Sequence, residues 1–302
     1  MGTVDETHDT VAVVGPGAIG TALAARLAES GRDVVLCGRG RGAAARRDVE
    51  LTDDRGTRRV PVRWAADPDD VAPARWLVLA TKIHQTPSAA PWLAALAGPG
   101  SLLVAAQNGV DHRERLAGVL PADRLAPALV YINAERTGPG RVHARYTERE
   151  LVLPDDGAGR TAAALFAGAG VRAEVSADFL GAAWRKLLTN VVANPVTALT
   201  GRRVEVLREP RVAALAEDLL RETVAVGRAE GADLPDAVVP ETLAWLQGLP
   251  VGATSSMLQD REAGRPLEHD GILGAVVRLA ERHGVAVPAT RTLLALLSAL
   301  PV

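Results

Sequence analysis

The chain has one cysteine, Cys37, in 302 residues. No internal disulfide can form and nothing marks an oxidising compartment, so a reducing cytoplasm is the expected setting. Lysine is almost as scarce: of 34 basic residues only Lys82 and Lys186 are lysines. Aromatic residues make up 3 % of the chain, too few for surfaces that stack bases, and the net charge of -2 gives no pull towards nucleic acid or an anionic membrane. No apolar run approaches the roughly 20 residues of a membrane span. The start, MGTVDETHDT, lacks the basic and apolar regions of a signal peptide. The six histidines contain no H-x-x-x-H pair, so no metal site is expected, and no G-x-S-x-G nucleophile elbow occurs.

What is present suits two domains, since 48 % hydrophobic residues can fill real cores at this length. The β-branched run Val11 to Val14 leads into GPGAIG, where Gly15, Gly17 and Gly20 form G-x-G-x-x-G before an alanine-rich helix over 18–30. A second strand follows at Val34 to Cys37. Strand, glycine turn, helix, strand is the context in which this motif binds a dinucleotide: the glycines allow a tight turn, close approach to a pyrophosphate, and close helix packing. The phosphates would then lie over the helix N-terminus, at Ala18 and Ile19. After the second strand comes LCGRGRG, with Arg39 and Arg41 and no acidic residue before Asp48. Arginine there accommodates a 2′-phosphate, which favours NADP over NAD.

Strands at Trp76 to Ala80 and Leu102 to Ala106 run into Thr81-Lys82 and Gln107-Asn108-Gly109 at the same sheet edge, so Lys82 and Asn108 fall on the cofactor side. Further strands are expected at Leu125 to Ile132, Arg141 to Ala144, Glu150 to Leu153 and Val171 to Val175. From Ala177 the pattern turns helical. The expected organisation is a Rossmann-like α/β domain over residues 1–176 and an all-helical domain over 177–302.

The first long element of the helical part is WRKLLTNVVANPVTA. Lys186, Asn190 and Asn194 recur at a spacing of four, drifting only about 40° per step around a helix, so one face carries an ammonium and two amides. Leu187, Leu188, Val191 and Val192 supply an apolar side to bury. Pro195 predicts that the helix ends or bends at Asn194. An arginine-rich chain that keeps a lysine here has kept a compact donor able to release its proton. Downstream, Pro210 opens a helix that ends at Gly231 and suits a core or a homodimer contact equally well. Ser255 and Ser256 begin a short helix broken by Gly264 and Pro266, and Glu268 opens the next, which runs to Gly284 before a last helix from Pro288.

GPGAIG, Thr81-Lys82, Gln107-Asn108-Gly109, WRKLLTNVVANPVTA and TSSMLQDREAGRPLE together resemble the ketopantoate reductase family. The resemblance implies a Rossmann domain and a helical domain that reduce a small 2-keto acid with NADPH. It makes Lys186 the catalytic lysine and Glu268 its partner carboxylate. Asn108, Asn190, Asn194 and Ser256 would line the cofactor and substrate sites, and Gly15, Gly17, Ala18, Ile19, Gly20, Arg39 and Lys82 would hold NADP. The chain departs from the family's pattern in LTGRRVEVL, which has no asparagine, and in His269 after the glutamate. Both bear on the substrate and not on the reducing groups, so another branched 2-keto acid stands beside ketopantoate. A non-catalytic NADP-binding sensor is the alternative from a different class, and the retained lysine, carboxylate and amides argue against it.

Overall fold

A computed structural model of the chain describes residues 9–38 and 45–301. These form two compact units, Met1–Gln107 with Asp111–Phe179, and Asn108–Val110 with Leu180–Val302. Among the described residues no helix is long and apolar enough to cross a membrane, and no group of three or more His, Cys, Asp or Glu could hold a metal ion.

The first unit is built on β1 (Val11–Val14), α1 (Ala18–Glu29), β2 (Val34–Cys37), β3 (Ala45–Asp53), β4 (Gly56–Ala65), β5 (Trp76–Leu79), α2 (Thr86–Leu96), β6 (Leu102–Ala105), a short α3 (His112–Arg115), β7 (Leu125–Pro127), β8 (Leu129–Val130), β9 (Asn133–Gly138), β10 (Arg141–Arg145), β11 (Leu151–Pro154), α4 (Gly157–Gly168) and β12 (Ala173–Ser176). The large sheet runs β7-β6-β5-β1-β2-β4-β3-β10-β9, and a small one runs β12-β11-β8. From β7 to β4 the neighbours are parallel.

Short wholly apolar strands are what such a sheet requires, because helices cover both of its faces. Alternate residues go to opposite layers: Val11, Val13, Val34 and Leu36 pack with α1 and α4, while Ala12, Val14, Val35 and Cys37 pack with α2. Because β1 lies between β2 and β5, the chain leaves it at the switch point of the sheet, where open α/β folds bind ligands.

Two departures from the sequence expectations have local causes. The run Leu125 to Ile132 is not one strand: β7 ends at Pro127 in the large sheet and β8 pairs with β11 in the small one. Pro127 has no N–H with which to continue a ladder. The hairpin β3–β4 has no counterpart in the sequence reading. Its strands are rich in arginine and contain Pro61, and its pairing is confirmed over nine residue pairs. At its turn Gly56 takes φ +94, the left-handed region.

Two ion clusters fasten the C-terminal end of α1. Arg58 of β4 meets both oxygens of Asp53 at 2.7 and 2.9 Å and also binds Glu29 of α1. Elsewhere Arg26 of α1 and Arg172 flank the buried Glu150 at 3.6 and 3.1 Å, and the Arg26 guanidinium lies 4.5 Å from the Tyr146 ring centroid.

The second unit is helical: α5 (Phe179–Thr200), α6 (Pro210–Ala229), α7 (Val238–Gln247), α8 (Ser256–Glu262), α9 (Ala275–His283) and α10 (Pro288–Ser298). The amphipathic α6 buries Leu219, Leu220 and Val226 in the core of this unit and touches α7, α9 and α10. Gly227 is required there, since a Cβ would lie 2.9 Å from the ring of the buried Trp184. Glu222 of α6 accepts from the N–H groups of Ala289 and Thr290, both at 2.8 Å, and from the Thr290 hydroxyl at 2.7 Å, capping the start of α10.

Of the two outcomes expected at Pro195, an end or a bend, the first does not occur: α5 continues through the proline to Thr200. Pro195 removes the N–H that would bond to the Val191 carbonyl, yet Val191, Val192, Val196 and Ala198 are all buried, and packing on both sides of the proline carries the helix through.

Candidate active site

In the first unit the glycine turn separates into structural and open positions. Gly15 sits at φ +111, and a Cβ on it would lie 2.8 Å from Thr81 after β5. A Cβ on Gly20 would lie 2.0 Å from the Gly15 carbonyl oxygen, so this glycine lets α1 close on the turn. Around Gly17 there is room: a Cβ would meet only the Ala80 oxygen, at 4.0 Å. Gly17 begins α1 in an extended conformation with no side chain capping it, and the first turn carries no acidic residue. The amides of Ala18, Ile19 and Gly20 therefore head a positive helix end beside open space, a cradle that fits a pyrophosphate.

Lys82 follows β5 at the start of a 3-10 turn, half-buried, its backbone N–H donating to Gln85 Oε1 at 3.3 Å. Arg39 and Arg41 lie outside the described residues.

Gln107 fixes the end of β6. Its amide nitrogen donates to the Thr81 carbonyl at 3.0 Å and to the hydroxyls of Thr81 and Thr86 at 3.0 and 3.1 Å. The backbone oxygen of Gln107 accepts from Nε2 of His112, buried on α3, at 2.8 Å. Sequence reasoning missed His112, since a lone histidine in a four-residue helix has no pattern around it. After Asn108 the chain reverses through Gly109 at φ +97.

The second unit gathers the other chemistry. Lys186 Nζ donates to Asn108 Oδ1 at 3.1 Å, and Asn108 Nδ2 donates to Glu268 Oε2 at 3.4 Å. One carboxamide thus touches an ammonium and a carboxylate, each through the atom suited to it. Protein crowds the ammonium although part of the side chain stays open to solvent, and this burial lowers Lys186 to about 8, against the opposing pull of Glu268.

Glu268 is buried, and the helix it was expected to open starts with an irregular wide turn, Asp270–Gly274, before α9. Such π turns are frequent at functional sites. On α5, Asn190 is half-buried and Asn194 is 3 % exposed. Asn194 Oδ1 accepts from the hydroxyl of Ser256 at 3.5 Å, and its Nδ2 is buried with no partner among the described residues. A buried amide donor left in that state is costly unless water or a ligand meets it. Lys186, Asn108 and Glu268 thus form one bonded group, and Asn194 with Ser256 a second.

The model of the ketopantoate reductase PanE/ApbA family matches residues 11–156, and that of the family's C-terminal region matches residues 178–301. The chain belongs to the ketopantoate reductase family. It is therefore an oxidoreductase acting on a CH–OH donor. Among its relatives, the 2-dehydropantoate 2-reductase of Mycobacterium tuberculosis is 40 % identical over 291 residues, spanning 96 % of this chain and 97 % of that one. The enzyme of the same name from Caulobacter vibrioides is 38 % identical, spanning 96 % and 98 %. Among solved structures, a PanE/ApbA family ketopantoate reductase from Ralstonia eutropha superposes with a TM-score of 0.85 at 33 % identity, over 96 % of this chain and 97 % of that one. A dimeric ketopantoate reductase from Staphylococcus aureus gives 0.83 at 27 % identity, over 96 % and 98 %.

Proposed function

We propose that this family member reduces a 2-keto acid, ketopantoate before others, to its 2-hydroxy acid with NADPH, and that Lys186 is the general acid. The observation that carries the reading is the amide of Asn108 holding Lys186 on one side and Glu268 on the other. Bound NADPH supplies a hydride. The protein must then stabilise the negative charge that grows on the keto oxygen and protonate it. An ammonium lowered to about 8 is charged at neutral pH and gives up its proton readily. Glu268 favours that charged form, and Asn108 fixes where Nζ points. Asn190, the unpaired donor of Asn194 and the Ser256 hydroxyl suit the carboxylate and hydroxyl of the substrate. These neutral groups bind it without competing with the ammonium for charge.

Gly15, Gly17, Ala18, Ile19 and Gly20 would hold the pyrophosphate, and Asn108 would also meet the cofactor. Arg39 and Lys82 would hold the 2′-phosphate, a reading supported by the absence of an acidic residue between the end of β2 and Asp48. A homodimer and a cytoplasmic setting complete the proposal.

The test is nicotinamide oxidation with ketopantoate and a panel of branched 2-keto acids, each with NADPH and NADH. Fastest turnover of ketopantoate with NADPH is the expected result. Preference for another acid would reassign the substrate, preference for NADH would remove the phosphate role of Arg39 and Lys82, and binding of NADPH without any turnover would overturn the catalytic reading.

A further inference from the structure

A chain of buried hydroxyls joins the lysine helix to the start of α8. Thr197, wholly buried on α5, donates to the Ala193 carbonyl at 2.6 Å. The Ser255 oxygen lies 2.6 Å from the Thr197 oxygen, and Ser255 accepts from the Leu258 N–H at 3.1 Å. Each hydroxyl has a single proton, so the order is set: the Leu258 N–H donates to Ser255, the Ser255 O–H to Thr197, and the Thr197 O–H to the Ala193 carbonyl. A second tie lies at the other end of α8, where Arg261 donates to the carbonyls of Ala198 and Leu199 at the end of α5. Between these ties sits Ser256, next in sequence to Ser255, within reach of Asn194, which is three residues before Thr197 on α5.

We propose that Thr197 is a positioning residue for substrate binding: through Ser255 it sets the register of α8 on α5 and so places the Ser256 hydroxyl against Asn194. Thr197 itself touches neither substrate nor cofactor. The inference rests on the keto-acid reading of Asn194 and Ser256. A valine at 197 keeps the shape, loses the acceptor for Ser255 and leaves a buried hydroxyl without its partner. Ser256 then loses its fixed position while Lys186, Asn108 and Glu268 keep theirs.

The experiment is steady-state kinetics of the full chain with NADPH and its best keto acid. Thr197→Val is expected to raise KM for the keto acid about tenfold, with kcat within about twofold and cofactor affinity unchanged. Thr197→Ser, which restores the hydroxyl, is expected to return KM to the wild-type value. Ser255→Gly removes the middle hydroxyl at little cost to the helix start. It is expected to raise KM likewise, and carries the test if Thr197→Val does not fold. An unchanged KM in the folded valine or glycine variant, a loss confined to kcat, or a serine variant as impaired as the valine one would overturn the positioning role alone. A wild-type protein inert towards every keto acid would overturn the reading of the site, and the positioning role with it.

Discussion

Charge is treated in opposite ways in the two units. Around the β3–β4 hairpin, burial alone would raise the carboxyls of Asp53 and Glu29, but the guanidiniums of Arg58 and Arg55 outweigh it and hold both below the ordinary carboxylate range. On α5 the balance is reversed: burial outweighs the attraction of Glu268 and lowers Lys186 to about 8. The difference lies in the partners. A planar guanidinium can meet both oxygens of a carboxylate at once, whereas the lysine is a point charge steadied by one amide and one carboxylate. Pairing that wins makes a scaffold. Burial that wins leaves a group ready to give up its proton.

Removing the lysine tests this contrast most severely. Lys186→Ala is expected to lower kcat/KM by about 10²- to 10⁴-fold in the keto-acid assay while titration still shows NADPH binding; a nearly unchanged rate would place the proton donor elsewhere. The glycine turn tests the scaffold side. Gly20→Ala forces a Cβ to within 2.0 Å of a backbone oxygen and is expected to cost roughly 3 kcal/mol in chemical denaturation. Gly17→Ala, with open space around it, is expected to keep wild-type stability and weaken cofactor binding. If both glycines behaved alike, the division into structural and open positions would fail.

The opposed shifts also give opposed pH dependences. A general acid must be protonated, so kcat/KM is expected to fall about tenfold per unit as pH rises above about 8. Asp53 and Glu29 have folded values below their unfolded ones. Their contribution to stability is present above the unfolded carboxyl range of about 4 and is lost as pH falls through the folded values. Asp53→Asn should therefore flatten the acid side of the thermal-midpoint profile without moving the alkaline limb of activity, and movement of both limbs together would dissolve the comparison. The smallest expected effect is Glu222→Ala, about 1–2 kcal/mol in denaturation with kinetics unchanged, because this carboxylate caps α10 only.

How far the sequence could be read followed how local each signal was. The G-x-G-x-x-G turn after an apolar run, the four-residue strands buried on both faces, and the spacing of Lys186, Asn190 and Asn194 are patterns within a few residues. They recur in the structure at β1, β2, β5 and α5. The hairpin β3–β4 was not legible, because its Arg58 is also held by Glu29 of α1, 29 positions away, a partnership no local window contains. That α5 does not end at Pro195 has a related reason. The proline's local cost is real, and burial of the residues on either side overrides it.

By itself, then, the sequence determined which polar groups are at hand and that Lys186, Asn190 and Asn194 share one face of a helix, since residue type and periodicity are properties of the chain. Tertiary structure decided the rest. It brought Asn108 to Lys186 across 78 positions and to Glu268 across 160. It buried the ammonium enough to lower it, and it seated Ser255 on Thr197. Hydrogen bonds and desolvation depend on what arrives within a few ångströms, and distance along the chain does not encode that.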